Sequence, residues 1–323
     1  MSALKRLGID IQKYRPEKRY SREQEQTAKS FAFKWSKRET YESDNLRELT
    51  AKWLLERYCS GDPKKLSEWL DGGRKIILDA GCGSGHSALL FFGDFLKEHD
   101  YLGVDISSSV NVAKIRFQEM GYPGDFIQVS IIDLPIPEKC LDLIFCEGVL
   151  HHTDSVEEGI RCLANKLKMG GRFLFYVYAK KGVIREFTDD YIRNGIKDME
   201  DQKAWEALRP LTRLGIVLGK MSVEIDVPED IPYLGIEKGR IDLQRFFYWN
   251  ICKLFYSPKL TLEEMNHINF DWYRPLNCHR HTPQEVKTFC DRAGLQIEHM
   301  DIQNSGITVV ALKVNHVRNL RNL

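Results

Sequence analysis

A strand, a glycine-rich turn and the start of a helix are encoded by residues 77–86, and this stretch constrains the fold more than any other. Residues 76–78 form a short apolar run, which is typical of a strand covered on both faces. Glycines at positions 81, 83 and 85 let the backbone turn sharply and let a ligand approach without obstruction by a Cβ atom. Residues 87–92 begin a helix whose unpaired N–H groups face the turn.

The turn is not the dinucleotide-binding pattern G-x-G-x-x-G, because His86 stands at the last position. An acidic residue, Asp79, ends the strand and precedes the alternating glycines. Its carboxylate would repel a pyrophosphate and hold an ammonium group. In this form the stretch resembles the first motif of the class I S-adenosylmethionine-dependent methyltransferases, and the resemblance covers about 71–180 and 282–314. An ordinary strand–turn–helix is the alternative.

S-adenosylmethionine is the cofactor that this resemblance implies. Asp105 ends a second strand, 20 positions after Gly85, where a carboxylate suits the ribose hydroxyls, although it could also cap the next helix. The resemblance puts Asp133 at the adenine amino group with Ile132 or Leu134 against the ring, but an Asp before Leu-Pro is also a common turn residue. The predicted cofactor-binding residues are Asp79, Gly81, Cys82, Gly83, Gly85, Asp105, Ile106, Ile132, Asp133 and Glu147.

Alternating strand and helix patterns predict an α/β fold with a doubly wound, seven-stranded sheet. Five strands are expected to be parallel, and a C-terminal antiparallel hairpin follows a helix that Thr282, Pro283 and Glu285 begin. A helical N-terminal extension and a helical insertion acting as a cap complete the prediction. The expected parts are an extension at 1–70, a methyltransferase domain at 71–180 and 281–314, and a cap at 181–280.

The extension contains three aromatic residues within 31–35, which either staple it to the domain or form a lid over the cofactor. Some methyltransferases of sugar and polysaccharide gene clusters are similar here, with Gln-Thr followed by Phe-x-x-x-Trp. The insertion is also rich in aromatic residues at 245–251, which are either a small satellite core or part of a substrate cap.

Methyl transfer from a sulfonium is an in-line displacement that needs alignment and exclusion of water more than acid–base help. A general base matters only if the acceptor must lose a proton. The histidines that follow the fourth strand either serve as that base or orient the loop, and the polar segment 270–281 is predicted to be a loop over the site. The candidate catalytic residues are His151, His152, Tyr178, His279 and His281. The candidate substrate-binding residues are Trp35, Tyr176, Asp271, Tyr273, Arg274 and Arg280, the two arginines for a carboxylate or phosphate.

The charge composition bears on which kinds of molecule the protein is expected to bind. Lys plus Arg (47) nearly equals Asp plus Glu (46), so no net field favours nucleic acid or an anionic membrane. The eight cysteines show no metal-binding spacing, and His279-x-His281 lacks a third ligand, so we expect no metal site. With no long apolar run, we expect a soluble protein in a reducing cytoplasm.

The sequence therefore predicts an enzyme that methylates an oxygen or nitrogen atom of a small molecule. The alternatives are a tRNA or rRNA methyltransferase, transfer of another group derived from S-adenosylmethionine such as carboxymethyl, and a non-catalytic protein that binds the cofactor. The oligomeric state is not readable from the sequence.

Overall fold

The computed structural model describes residues 2–10 and 20–315. Its centre is a sheet of seven strands: β1 (Ile76–Ala80), β2 (Asp100–Asp105), β3 (Asp125–Gln128), β4 (Leu141–Cys146), β5 (Leu167–Tyr178), β8 (Leu295–Ile302) and β9 (Gly306–Lys313). Their order is β3-β2-β1-β4-β5-β9-β8. The first five run parallel, and β9 is antiparallel to both β5 and β8. The predicted α/β class, sheet and terminal hairpin are confirmed.

Helices cover both faces of this sheet. Along the chain they are α1 (Ala3–Leu7), α2 (Arg22–Ser36), α3 (Asp44–Cys59), α4 (Lys64–Leu70), α5 (His86–Phe92), α6 (Phe95–Glu98), α7 (Ser109–Glu119), α8 (Val156–Lys166), α9 (Val183–Ile196), α10 (Asp201–Met221), α11 (Leu243–Asn250), α12 (Leu262–Tyr273) and α13 (Pro283–Arg292). Strands β6 (Glu224–Val227) and β7 (Gly239–Asp242) form a separate antiparallel ribbon. None of the described helices is both long and apolar enough to cross a bilayer.

Successive side chains of β1 point to opposite faces of the sheet, and the core therefore has two layers. Leu78 packs into the layer that α8 and α13 cover, whereas Ile77 packs into the layer of α3, α4 and α5. Because both layers are apolar, the strand is buried along its whole length, as its sequence predicted. The polar ends of the parallel strands are then left at one edge of the sheet.

Helix α13 begins as the sequence predicts. The Thr282 hydroxyl accepts from the main-chain N–H of Glu285 at 3.2 Å, and the Glu285 carboxylate accepts from the N–H of Thr282 at 2.7 Å. Pro283 is the first helical residue. This capping box fixes where the chain returns to the sheet after the insertion.

The insertion between β5 and α13 differs from the sequence prediction in three ways. The sequence patterns predict helices at 201–218, 241–256 and 262–268 in this insertion. Helix α9 and the ribbon β6–β7 are not among these predictions, and α11 is shorter than the helix predicted at 241–256. Helix α12 continues to Tyr273, so the segment 270–281 begins as helix rather than loop. The aromatic side chains of Trp205, Phe270 and Trp272 pack with Tyr178 of the sheet into one cluster.

Helix α2 is tied to the far end of the insertion rather than to the sheet alone. The Gln26 amide donates to the carbonyl of Arg274 at 3.1 Å and accepts from the N–H of Leu276 at 3.0 Å. The Thr27 hydroxyl accepts from the N–H of Asn277 at 3.2 Å. These bonds hold α2 across the carboxyl edge of the sheet. The division of the chain into extension, domain and cap stays a prediction.

Candidate active site

A cavity of about 680 Å³ lies at the carboxyl ends of the parallel strands. Gly81, Asp105 and Glu147, which follow or end three of these strands, line its base. Helix α2 contributes Phe31 and Trp35, and residues of the insertion line the remaining walls. The cavity therefore lies where open α/β sheets bind their ligands.

The glycine turn requires glycine for two different reasons. Gly81 and Gly83 have φ values of 84° and 52°, in the left-handed region that side chains with a Cβ rarely adopt. A Cβ at Gly83 would also lie 2.7 Å from Nε1 of Trp35. The indole of α2 therefore packs directly on the turn, which leaves no room for a larger residue there.

Asp105 is bonded to the turn that it faces. Its carboxylate accepts from the N–H of Gly83 at 2.9 Å and from the N–H and hydroxyl of Ser107 at 2.8 and 2.7 Å. Burial raises the pKa of this carboxyl, and the bonds from Ser107 act against that rise. Asp105 thus orders the glycine turn and still lines the cavity.

Asp79 lies deeper in the sheet than Asp105. It accepts the hydroxyl of Tyr101 at 2.6 Å and is not among the described residues that line the cavity. Burial raises its pKa to about 7, while the bond from Tyr101 lowers it. The carboxyl is therefore poised to ionise when a positive charge approaches.

Glu147 is paired with a cation that the sequence analysis missed. Its carboxylate accepts from Nη1 of Arg57 at 2.7 Å and from the hydroxyl of Tyr58 at 2.5 Å. The Arg57 guanidinium stacks between the rings of Trp53 and Tyr176, 4.2 and 4.0 Å from their centroids. Helix α3 thereby places an ordered charge pair beside the end of β4.

Of the two histidines that follow β4, His152 lines the cavity, as do His86 and His267 from other segments. Its Nδ1 lies 2.6 Å from the carbonyl of Asn277 and therefore carries the proton, while its buried Nε2 has no hydrogen-bond partner in the described chain. Burial lowers the pKa of His152 to about 4, so the ring is neutral near pH 7. His151 is fully buried and packs 3.6 Å from the ring of Tyr178, away from the cavity.

A charged cluster lies beside His152, whose ring is 5.5 Å from that of Tyr178 between the ring centroids. The Asp271 carboxylate pairs with Nζ of Lys34 and accepts the hydroxyl of Tyr178 at 2.9 Å. Burial alone would raise the pKa of Asp271, but the Lys34 ammonium holds it well below its usual range. The side chains come from α2, β5 and α12, so this cluster forms only when the insertion and α2 close on the sheet.

The two arginines predicted to hold an acceptor anion are already neutralised. Arg274 pairs with Asp201 at 2.7 Å, and Arg280 pairs with Glu186 and Asp190, each at 2.9 Å. Neither lines the cavity. These ion pairs hold the insertion together, and a role for either arginine in binding the acceptor stays a prediction.

Tyr273, His279 and His281 also lie outside the cavity. The Tyr273 hydroxyl donates to the buried carboxylate of Asp189 at 2.7 Å. His279 and His281 each donate their main-chain N–H at 2.9 Å to carbonyls of neighbouring segments. Their contacts fix the chain between α12 and α13.

The structure brings together part of the predicted set. The predicted residues that line the cavity are Trp35, Gly81, Asp105, Ile106, Glu147, His152, Tyr176, Tyr178 and Asp271. Those that do not are Asp79, Cys82, Gly83, Gly85, Ile132, Asp133, His151, Tyr273, Arg274, His279, Arg280 and His281; Ser130 and Ile131 line it in place of Ile132 and Asp133. The assigned roles of all these residues stay predictions.

Six cations that line the cavity were missed: Lys34, Arg57, Lys181, Arg185, Arg245 and Lys253. One signal was available, because Lys34 stands between two aromatic residues on a helix with an otherwise polar composition. The remaining five gave no local signal, since only the folding of α3 and the insertion onto the sheet brings them to the site.

Comparison with known proteins identifies the central part of the chain. A family model described as "Methyltransferase domain" matches residues 78–175. The uncharacterized methyltransferase YcgJ of Bacillus subtilis is 38% identical over 100 residues, which are 30% of this chain and 38% of that protein. The tRNA U34 carboxymethyltransferase of Cellvibrio japonicus is 30% identical over 103 residues, 31% of each chain. This chain spans about a third of the length of the curated relatives it matches.

Solved structures resemble this chain at lower sequence identity than the curated relatives do. Magnesium protoporphyrin IX methyltransferase from Synechocystis PCC 6803 has a TM-score of 0.48 and 14% identity, covering 90% of this chain and 99% of its own. The matched segment 78–175 contains the glycine turn, Asp105 and Glu147, which form the base of the cavity. Residues 78–175 therefore form a methyltransferase domain, within a sheet of the class I S-adenosylmethionine-dependent type.

Proposed function

We propose that this protein transfers a methyl group from S-adenosylmethionine to an oxygen or nitrogen atom of a small molecule. The observation that carries the proposal is enclosure of the site. Helix α2 and the insertion cover a cavity whose base is the glycine turn, so the acceptor atom has to enter a space of about 680 Å³. Such a space suits a whole small molecule or one exposed group of a larger one.

The residues present fit the cofactor. The glycine turn leaves its backbone uncovered by Cβ atoms, and Asp105 at the end of β2 presents a carboxylate to the ribose hydroxyls. Glu147 at the cavity wall, or Asp79 beneath it, offers a negative charge to the amino group. When bound, the cofactor supplies a methyl group that is already electrophilic, because it sits on a sulfonium.

The chain's own task is then to align the acceptor and remove its proton. His152 lines the cavity and is the base in this proposal: its buried Nε2 carries no proton, and its Nδ1 bond to Asn277 fixes the ring in this tautomer. A positioned base of this kind contributes about 10²–10⁴-fold to the rate. Lys34, Asp271 and Tyr178 lie beside His152 on the cavity wall and orient the acceptor in this proposal.

Two alternative activities would use the same cavity. The match to tRNA U34 carboxymethyltransferases keeps open both an RNA acceptor and transfer of a carboxymethyl group. A protein that binds the cofactor without turnover is the third alternative. A reducing cytoplasm remains the proposed location, since no disulfide bond joins the cysteines of the described residues.

Label transfer tests the proposal directly. The purified protein is incubated with methyl-labelled S-adenosylmethionine and, separately, with the small-molecule filtrate and the deproteinised RNA of its source cells. We expect label in the small-molecule fraction, with the mass increase of a methyl group. Label in RNA would establish the RNA alternative, and the mass increase of a carboxymethyl group would establish the other donor. Cofactor binding without any label transfer would support the non-catalytic alternative.

A further inference from the structure

Three cations surround a single indole ring at the end of the cavity formed by the insertion. The charged groups of Lys181, Arg185 and Lys253 lie 5.6, 5.4 and 5.1 Å from the ring centroid of Trp272. All four residues line the cavity. Lys181 and Arg185 come from the start of α9, and Lys253 follows α11, so the insertion builds this cluster.

Only one of the three cations has a carboxylate partner at its charged group. Nε of Arg185 pairs with Asp189 at 2.5 Å. Nζ of Lys181 donates to the carbonyls of Asn304 and Ser305, which are neutral. Nζ of Lys253 makes no hydrogen bond or ion pair within residues 2–10 and 20–315.

The nearby carboxylates are committed elsewhere. Both oxygens of Asp189 also accept from the Trp272 indole N–H and the Tyr273 hydroxyl, at 2.8 and 2.7 Å. Asp271 pairs with Lys34, and Glu186 pairs with Arg280. The two lysines therefore bring positive charge into the cavity without a matching negative charge.

Holding these ammonium groups together costs free energy in the absence of a ligand. Burial lowers the pKa of Lys181 to about 7 and that of Lys253 to about 8. The charge of Arg185 also lowers both pKa values, whereas the Asp271 carboxylate raises that of Lys253. An uncompensated buried charge is uncommon in folded proteins unless it binds something. The arrangement is therefore incomplete without an anion.

We propose that the small-molecule acceptor carries a carboxylate or phosphate group that binds between Lys181 and Lys253, against the face of Trp272. This inference rests on the proposed function, since it concerns the acceptor side of the same cavity. Tyr248 and Trp249 line this end as well and suit a flat apolar body behind the anion. Lys181 and Lys253 would then bind the anion whose binding the sequence analysis had assigned to Arg274 and Arg280.

Titration calorimetry on the complex with S-adenosylhomocysteine tests this site with three probes of similar shape: benzoate, phenyl phosphate and benzyl alcohol. We expect an anionic probe to bind and the neutral alcohol to bind much more weakly. The stronger of the two anions identifies the group as carboxylate or phosphate. Equal binding of the alcohol, or no binding of either anion, would overturn the proposal.

Lys253→Met should weaken binding of the anionic probe by more than about tenfold, because it removes a charged partner. Lys180→Met is the matched control, since Lys180 is an exposed neighbour of Lys181 outside the cavity. The folded state of Lys253→Met is checked by its thermal midpoint, which should not fall because a buried charge is removed. If that variant is unstable, Lys181→Met serves in its place, and unchanged affinity in a folded variant contradicts the site.

The same titrations separate this inference from the proposed function. Lys253→Met and Lys181→Met should both bind S-adenosylhomocysteine as the wild-type protein does, because neither lysine lies at the glycine turn. Loss of cofactor binding by the wild-type protein would contradict the proposed function. Intact cofactor binding with no preference for anions would contradict the anion site alone.

Discussion

Two carboxylates at neighbouring strand ends have different surroundings and therefore different roles. Asp105 receives three hydrogen bonds and lines the cavity, whereas Asp79 receives one from Tyr101 beneath it. The sequence could identify both, because strand ends and glycine spacing are local patterns. It could not identify Lys181 or Lys253, whose proximity to Trp272 depends on contacts between distant segments.

Asp79→Asn tests the buried carboxyl. Its pKa rises from 3.8 to about 7 on folding, so folding favours the protonated form. In the wild-type protein without cofactor, the stability that Asp79 contributes is present at low pH and is lost as pH rises towards 7. The free energy of unfolding of Asp79→Asn relative to wild type should therefore increase over this interval, by a few kcal/mol at most.

Urea denaturation at about pH 5 and about pH 8 measures this difference. Asp226→Asn, at an exposed position on β6, is the control and should show little change with pH. A stability difference for Asp79→Asn that stays constant with pH would contradict the raised pKa.

His152→Gln tests the proposed base. The rate of label transfer at saturating cofactor should fall by about 10²–10⁴-fold, because Nε2 no longer accepts the proton. Affinity for S-adenosylhomocysteine should be retained. His299→Gln, on β8 and outside the cavity, is the control. An unchanged transfer rate in His152→Gln would show that the acceptor needs no base at this position.

At the scale of elements, the hydrophobic pattern predicted helices well where their buried faces are apolar. Helix α9 was missed because its buried face carries Arg185, Asp189 and Arg193, while Phe187 and Tyr191 are 73% and 72% exposed. Polar side chains thus occupy the buried face of α9 and aromatic side chains its exposed face. This is the reverse of the apolar periodicity by which helices are predicted from sequence. The ribbon β6–β7 was missed because its short strands are largely exposed and bury little apolar surface.

Helix α2 is the element whose role is most open to test. Trp35 packs on the glycine turn, so Trp35→Ala should raise the dissociation rate of S-adenosylhomocysteine by about tenfold if α2 is a lid. Lys29→Ala, on the exposed face of the same helix, is the control. Dissociation is followed by the release of labelled ligand, and equal rates for wild type and Trp35→Ala would leave α2 with a packing role only.

At the scale of the whole molecule, we propose that the sheet supplies the cofactor site and the insertion supplies the acceptor site. The five parallel strands and the terminal hairpin could be predicted because they follow from the family resemblance and from local strand patterns. The cavity could not, since it is closed by α2, α3 and the insertion, which approach from three separate parts of the chain. Both sites meet at the carboxyl edge, between Asp105 and His152.

The most direct test of the account is titration calorimetry of S-adenosylhomocysteine against wild type, Asp105→Ala and Ser107→Ala. Ser107→Ala removes one hydrogen bond from the Asp105 carboxylate and is the control for loosening of the turn. We predict that wild type binds and that Asp105→Ala binds more than about tenfold more weakly, with a smaller loss for Ser107→Ala. Unchanged affinity in Asp105→Ala would contradict a cofactor whose ribose is held at the end of β2.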